Sequence, residues 1–299
     1  MLVAAVLAAA GIGERPGALS DWQAFALGIV QGLTELLPIS SSGHLILVPW
    51  LADWDYLETH DQFNQTFDVA LHLGTLVAVV AYFRWRIVEL AGAFVTAARR
   101  RRAVSPAERA AVFVAIATVP AAVIGALGEE LIADHLGEPW QIAILLGVFA
   151  VVLWVADRRP ASRELDELGP RAAVAVGLAQ SLSLMPGVSR SGITISAARF
   201  LGLERDEAAT LSFLLLVPIT LGAVVWKGLN EVVLGDLPPG SAGPFLVGTF
   251  AATGSGLVAI WGLLSYVRRR DYTVFVVYRL IVAFLVALFI AAGFRGAGF

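Results

Sequence analysis

Long uncharged runs alternate with short polar connections along this chain. Six runs, near Phe67 to Phe83, Ala110 to Leu127, Trp140 to Ala156, Ala208 to Trp226, Pro244 to Leu264 and Thr273 to Gly293, each predict a helix able to cross a bilayer, since ~30 Å of hydrocarbon takes roughly 20 apolar residues. Two further runs, Trp22 to Leu51 and Ala172 to Leu201, are broken in the middle: residues 38–44 read PISSSGH and residues 186–194 read PGVSRSGIT. Proline ends the preceding helix and Gly with Ser favours a turn, so each run predicts helix, loop, helix. Backbone left unpaired at membrane depth is tolerated only where protein or a water-filled cavity satisfies it, which makes both loops candidate sites.

Laid over the first broken run at an offset of 149 residues, the second pairs Ala24 with Ala173, Ala26 with Ala175, Gly28 with Gly177 and Gln31 with Gln180. The register continues through Leu33 and Leu182, Ser40 and Ser189, Ser42 and Ser191, and Gly43 and Gly192. A shared S-x-S-G after a shared Gln reads as an internal repeat. Three spans separate the copies and three follow the second. If each broken element re-enters and leaves on its own side, the two halves, about 22–157 and 171–293 of a single integral-membrane domain, have inverted topology and their loops meet near the midplane. Basic residues support that arrangement. With the Arg84 to Arg109 connection inside, sixteen arginines lie in inside segments against Arg15, Lys227 and Arg295 outside, a strong positive-inside bias. The fold expected is an all-α polytopic membrane protein with six transmembrane helices plus two re-entrant helix-loop-helix elements.

Composition narrows the function. Of 299 residues 58% are hydrophobic and 15% charged, with a mean hydropathy of +0.78, against ~25% charged in soluble domains. That excludes a disordered chain, an ordinary cytosolic enzyme and, with a net charge of −3, a nucleic-acid partner. The chain has no Cys, which removes disulfides, thiolate metal sites and Cys nucleophiles together. Met1 to Gly13 is apolar like a signal segment but lacks a basic start, and Glu14, Arg15 and Pro16 make a poor cleavage context. Trp22, Trp50, Trp54, Trp85, Trp140 and Trp226 fall at predicted span ends, as an interfacial belt places them.

An ionisable group at membrane depth costs ~2.5 to 3.5 kcal/mol on insertion scales and is a functional candidate for that reason. Glu35 follows Gln31 by four residues, so the two share one helix face, and Ser40, Ser41, Ser42 and His44 come directly after. In the second copy Arg190 stands between Ser189 and Ser191, followed by Gly192 and Thr194 where a new helix begins. A guanidinium fork, hydroxyls and a helix N-terminus together suit an anion such as phosphate. An acid, hydroxyls, an imidazole and an anion cradle inside a membrane fit phosphoryl transfer on a lipid. A plain Glu35–Arg190 ion pair is the simpler alternative.

Residues 31–44, QGLTELLPISSSGH, and residues 186–196, PGVSRSGITIS, closely resemble the two signature motifs of the bacterial undecaprenyl-diphosphate phosphatase family, the bacitracin-resistance proteins. The likeness extends over nearly the whole chain beyond the first twenty residues, including FDVALHLGTLVAVV at residues 67–80 and LSFLLLVPITLGA at residues 211–223. It implies hydrolysis of undecaprenyl diphosphate to the monophosphate and inorganic phosphate, recycling the carrier lipid of cell-wall synthesis. It further implies Mg2+ or Ca2+, a bacterial plasma-membrane location and a site open to the outer face; a homodimer is left open. By motif position Glu35 matches the essential acid, Arg190 the diphosphate-gripping arginine, Ser41 and His44 the catalytic Ser and His. Ser189, Ser191 and Thr194 match the phosphate-contacting hydroxyls; Gln31, Ser40, Ser42 and Gly192 complete the expected substrate-binding set. Gln31 stands where many relatives carry a second Glu, so metal binding or base chemistry rests on Glu35, with Gln31 as a second metal ligand. Ser41 attacking phosphorus, with Glu35 taking its proton directly or holding the metal that lowers its pKa and His44 protonating the leaving oxygen, is the favoured mechanism; His44 as nucleophile is its rival.

Weaker signals read as structural. His72 and its i−4 neighbour Asp68 suggest mutual orientation or help with a metal, His60 and His135 read as solvated loop residues, and Arg279 in the last span is expected to snorkel or pair with an acid. Two other functions compete. Broken helices in an inverted repeat also suit a carrier for polyprenyl phosphate or another anion, though a carrier has less need of Glu35, Ser41 and His44 so close together. The Ser-Gly-His triplet resembles the acid-phosphatase-like lipid phosphatases, but their leading Lys/Arg element is absent, since the only Lys is Lys227.

Overall fold

The computed structural model describes residues 19–54, 61–227 and 242–297, with side chains placed at all of these except 61–65 and 129–134. His60 and the segment from Met1 to Gly13 lie outside the described residues. Ten α-helices and no strand occur among those described. They are α1 (Asp21–Leu36), α2 (Ser41–Ala52), α3 (Asp61–Arg100), α4 (Pro106–His135), α5 (Pro139–Asp157), α6 (Pro170–Ser181), α7 (Arg190–Phe200), α8 (Arg205–Lys227), α9 (Ala242–Val267) and α10 (Thr273–Ala291). Six of them, α3, α4, α5, α8, α9 and α10, are long and apolar enough to cross a membrane, and the chain is a multi-pass membrane protein.

All six expected spans form, but α3 does not stop at Phe83. It bends there, where φ is −100° and ψ 16°, and continues to Arg100. The extension carries Arg84, Arg86 and Glu89 on exposed faces, and an Arg86–Glu89 pair of 2.8 Å spaced i,i+3 supports it. Its inner face packs Leu90, Ile87 and Ala93 on the core while its outer face is charged, so a search for uncharged runs ends the element too early. His135 likewise closes α4 instead of lying in a loop.

Both broken runs fold as two helices around a turn. α1 ends at Leu36 and α2 begins after Ser40; α6 ends at Ser181, a 3-10 turn covers Leu182–Leu184, and α7 begins after Ser189. Ser40 and Ser189, paired by the sequence offset, adopt the same rare backbone, φ 79° and 75°. Each caps its following helix by accepting from the amide three residues on, Gly43 and Gly192. The paired glycines act alike as well. A Cβ on Gly28 would lie 2.5 Å from the Gly248 carbonyl oxygen, and one on Gly177 would lie 2.5 Å from the Ala117 carbonyl oxygen. Small residues thus bring α1 against α9 and α6 against α4 at backbone contact.

Many large apolar side chains face outward, as a lipid solvent allows, and a set of polar ones is buried within an otherwise apolar core. Trp22, Trp85, Trp226, Phe250 and Leu127 are exposed, whereas Gln31, Glu35, Ser191, Thr194, Ser212 and Arg279 are buried. Trp50 departs from the expected belt: it is buried against Leu47, Ile142 and Leu146. At one end of the bundle Asp157 pairs with Arg205 at 2.7 Å and Arg199 at 3.7 Å and accepts the Tyr272 amide at 3.0 Å, while Arg109 pairs with Asp166 at 2.6 Å. These bonds join the end of α5 to the starts of α8 and α10 and the tail of α7. Elsewhere Asp21, opening α1, sits beside Gly243 at the start of α9, and Arg295, after α10, pairs with Asp53 at the end of α2.

Candidate functional site

Glu35 sits in the last turn of α1 and Arg190 opens α7, so each charged group stands at a helix end where its loop begins. The structure brings them together. Arg190 Nε and Nη2 both donate to Glu35 Oε1 at 3.3 Å, while Arg190 Nη1 donates to the Ser212 carbonyl at 2.9 Å. The second carboxylate oxygen, Oε2, accepts the Ser41 hydroxyl and, at 3.4 Å, the Gln31 amide. His72 Nε2 lies 3.7 Å from the same oxygen. Carboxylate and guanidinium are both largely shielded, 6% and 11% exposed, so each depends on the other for compensation.

The remaining expected residues divide by what they hold. Ser40 Oγ accepts the Gly187 amide at 3.1 Å and Ser191 Oγ donates to the Leu37 carbonyl at 2.8 Å, so each hydroxyl ties one loop to the other. Ser189 Oγ bonds Ser191 Oγ at 3.2 Å and accepts the Gly192 amide at 3.1 Å. Thr194 Oγ1 donates to Ser212 Oγ at 2.8 Å and is fully buried. Ser42 is half-buried in the first turn of α2. Ser40, Ser189, Ser191 and Thr194 are thus engaged with loop and helix partners; Ser41 is the hydroxyl directed at the Glu35 carboxylate.

His44 is placed differently from its neighbours. Its Nδ1 lies 2.7 Å from the Ser40 carbonyl and its Nε2 2.8 Å from the Tyr278 hydroxyl. A carbonyl only accepts, so Nδ1 carries the proton and neutral Nε2 accepts from Tyr278. Among the described residues no hydrogen bond joins His44 to Glu35, Ser41 or Arg190. Asp68 meets His72 through its backbone carbonyl, at 2.7 Å from Nδ1, and not through its carboxylate.

The bacitracin resistance protein BacA family matches residues 24–285. The chain belongs to that family. Relatives named undecaprenyl-diphosphatase include one from Geobacter sulfurreducens, 45% identical over 260 residues that cover 86% of this chain and 94% of the relative. Others come from Rubrobacter xylanophilus, 44% identical over 267 residues covering 89% and 96%, and Pelotomaculum thermopropionicum, 42% identical over 275 residues covering 92% and 98%.

Two residues in this BacA-family site escape sequence reasoning, and a third, Arg279, is singled out by it but given the wrong partners. Ser212, inside the apolar run of α8, serves the site through both its carbonyl and its hydroxyl; one Ser in such a run carries no signal. Tyr278 pairs with His44 from α10, more than two hundred residues away in sequence. Arg279 stands out as a charge within a span, but its expected snorkelling or acid partner is overturned. It is fully buried and donates to carbonyls of Pro38, Leu146, Gly187 and Val188. Three loop carbonyls freed by the helix breaks, Pro38, Gly187 and Val188, together with the helical Leu146 carbonyl of α5, solvate the charge in place of water or an acid.

Proposed function

We propose that this protein hydrolyses undecaprenyl diphosphate to undecaprenyl phosphate and inorganic phosphate, from a site opening to the outer face of a bacterial plasma membrane. The observation that carries the reading is the hydroxyl of Ser41 donating to a carboxylate that Arg190 also grips. Membership of the BacA family and three undecaprenyl-diphosphatase relatives at 42–45% identity favour a phosphatase over a carrier.

The mechanism follows from those contacts. Glu35 takes the Ser41 proton as Oγ attacks the terminal phosphorus, and the bond from that phosphorus to the bridging oxygen breaks. The lipid monophosphate leaves as an anion, its bridging oxygen taking the electron pair of the broken bond, while His44 keeps Nδ1–H on the Ser40 carbonyl and Nε2 on the Tyr278 hydroxyl. Water then cleaves the phosphoseryl intermediate, releasing inorganic phosphate and returning the Ser41 hydroxyl. Arg190, held at Ser212 by one nitrogen, keeps its Nε–Nη2 edge on Glu35 at a long 3.3 Å. That edge is the one to exchange Glu35 for phosphate oxygens when the diphosphate arrives.

A divalent cation, Mg2+ or Ca2+, fits the donor set. Gln31 Oε1 is a buried oxygen with no hydrogen-bond partner, beside the Glu35 carboxylate, and hard cations take oxygen ligands. Among the described residues no three His, Asp or Glu side chains converge to hold a metal, so Glu35 and Gln31 would hold it jointly with diphosphate oxygens. Bound there, it would neutralise phosphate charge.

In this reading α1–α2 and α6–α7 are re-entrant hairpins entering from opposite faces, in halves of inverted topology. None of the four helices exceeds 16 residues, about 24 Å at 1.5 Å per residue, short of the ~30 Å core. Support for this reading comes from Asp21 beside Gly243 and Asp53 paired with Arg295, contacts made at the ends of α9 and α10 away from the arginine-rich end, and from the Arg199–Asp157 pair at the tail of α7.

Phosphate release from a C55 diphosphate by purified protein, with and without chelator, tests the function. Release by wild type, lost in Glu35→Ala and Arg190→Ala and reduced by chelator, is expected. No release by wild type would return the site to a binding role, and undiminished release by both variants would remove these residues from it.

A further inference from the structure

Arg279 heads the fully buried side chains by size, and among the described residues no carboxylate pairs with it. Its donors are all spent on backbone. Nε reaches the Leu146 carbonyl at 3.2 Å; Nη1 reaches Pro38 at 3.3 Å and Val188 at 3.1 Å; Nη2 reaches Gly187 at 2.8 Å and Val188 at 3.1 Å. One guanidinium therefore spans the first loop, the second loop and α5 from a seat on α10.

Those loops are not relaxed. Ser40 and Ser189 hold positive φ without being glycine, a conformation that persists only when its surroundings over-determine it. Pro38 lies two residues before Ser40, and Val188 directly before Ser189, so the arginine grips each loop beside its strained residue. Glu35 and Ser41 flank the first turn; Arg190 follows the second. Gly192 leaves the room this needs, since a Cβ there would lie 3.0 Å from Arg279 Nη1.

We propose that Arg279 is a positioning residue for the phosphatase site: its buried fork clasps the carbonyls of both loops and sets Arg190 at the spacing from Glu35 and Ser41 that one diphosphate requires. The inference rests on the phosphatase reading. A point-charge ammonium at this position keeps the charge but loses the planar fork that reaches four carbonyls at once. Misplacing reacting groups by an ångström from outside the reaction centre costs on the order of 100-fold in rate.

The test uses full-length Arg279→Lys and Arg279→Gln with wild type in detergent micelles. Two quantities are read: kcat for phosphate release from farnesyl diphosphate, and the stoichiometry and Kd of a non-hydrolysable farnesyl methylenediphosphonate. Both variants are expected to bind the analogue at full stoichiometry with a weaker Kd, since Arg190 grips the diphosphate, while kcat at saturating substrate falls about 100-fold. Wild-type kcat in the Lys variant would credit the charge alone and overturn the clasp. So would kcat and stoichiometry falling in parallel, or variants that yield no folded protein, since Arg279 would then only hold the bundle together. A wild type that binds the analogue yet releases no phosphate would instead defeat the phosphatase reading itself, and the control shows it directly.

Discussion

A carboxylate below the membrane surface persists only with its oxygens occupied, and Glu35 has Arg190 on one oxygen, with Ser41 and Gln31 on the other. Its removal therefore strips the base and unpairs a buried guanidinium in one step. Glu35→Gln keeps the shape but loses the base, and kcat for phosphate release is expected to fall by about 10³-fold or more, with the protein still eluting as a single species. Ser41 supplies a sharper discrimination. Stopped in acid during turnover, the wild type is expected to carry an acid-stable phosphoadduct that disappears in Ser41→Ala; an acid-labile adduct would assign the attack to His44. Glu35 and Arg190 were exposed because a charge in an apolar run has few explanations, and the family resemblance picked Ser41 out of three adjacent serines. It did not reveal that Ser40, Ser191 and Thr194 are committed to loop and helix bonds, since a hydroxyl reads alike in sequence whether it meets a ligand or a backbone carbonyl.

Breaks in hydrophobic runs made the two loops legible at the level of elements, because Pro, Gly and Ser interrupt a helix for local reasons. What each broken run packs against was not legible. The 2.5 Å approaches at Gly28 and Gly177 depend on α9 and α4, remote in sequence. Gly177→Leu is expected to lower stability by about 1 to 3 kcal/mol, the cost of overpacking a closed interface, read as a lower thermal midpoint in detergent. Gly262, with open space around it, is the control, and Gly262→Leu should melt with wild type. The overlong α3 shows the reverse case: its second half packs Leu90, Ile87 and Ala93 on the core while its outer face is charged, which a search for uncharged spans passes over.

For the molecule as a whole, arginine distribution predicts orientation, and the absence of Cys allows a clean test. With the α3–α4 connection inside, Val104→Cys should react with an impermeant thiol reagent only after cells are opened. Ala292→Cys, beyond α10, should react in intact cells; the opposite pattern would invert the proposed topology. Asp157 joins three elements at the arginine-rich end, so Asp157→Ala is expected to cost about 3 kcal/mol or more by leaving Arg199 buried without its acid, measurable by thermal melting of the purified protein. Membrane residence, the six spans, the paired loops and the identity of the charged groups were determined by the sequence itself. Each follows from hydropathy, helix-breaking residues or the high cost of a charge in lipid, all local properties of the chain. The tertiary structure alone decided that Arg279 serves both loops, that Tyr278 meets His44 and that Ser212 seats Arg190. Those contacts join residues distant in sequence, and their partners are backbone carbonyls or single hydroxyls that leave no pattern in composition or spacing.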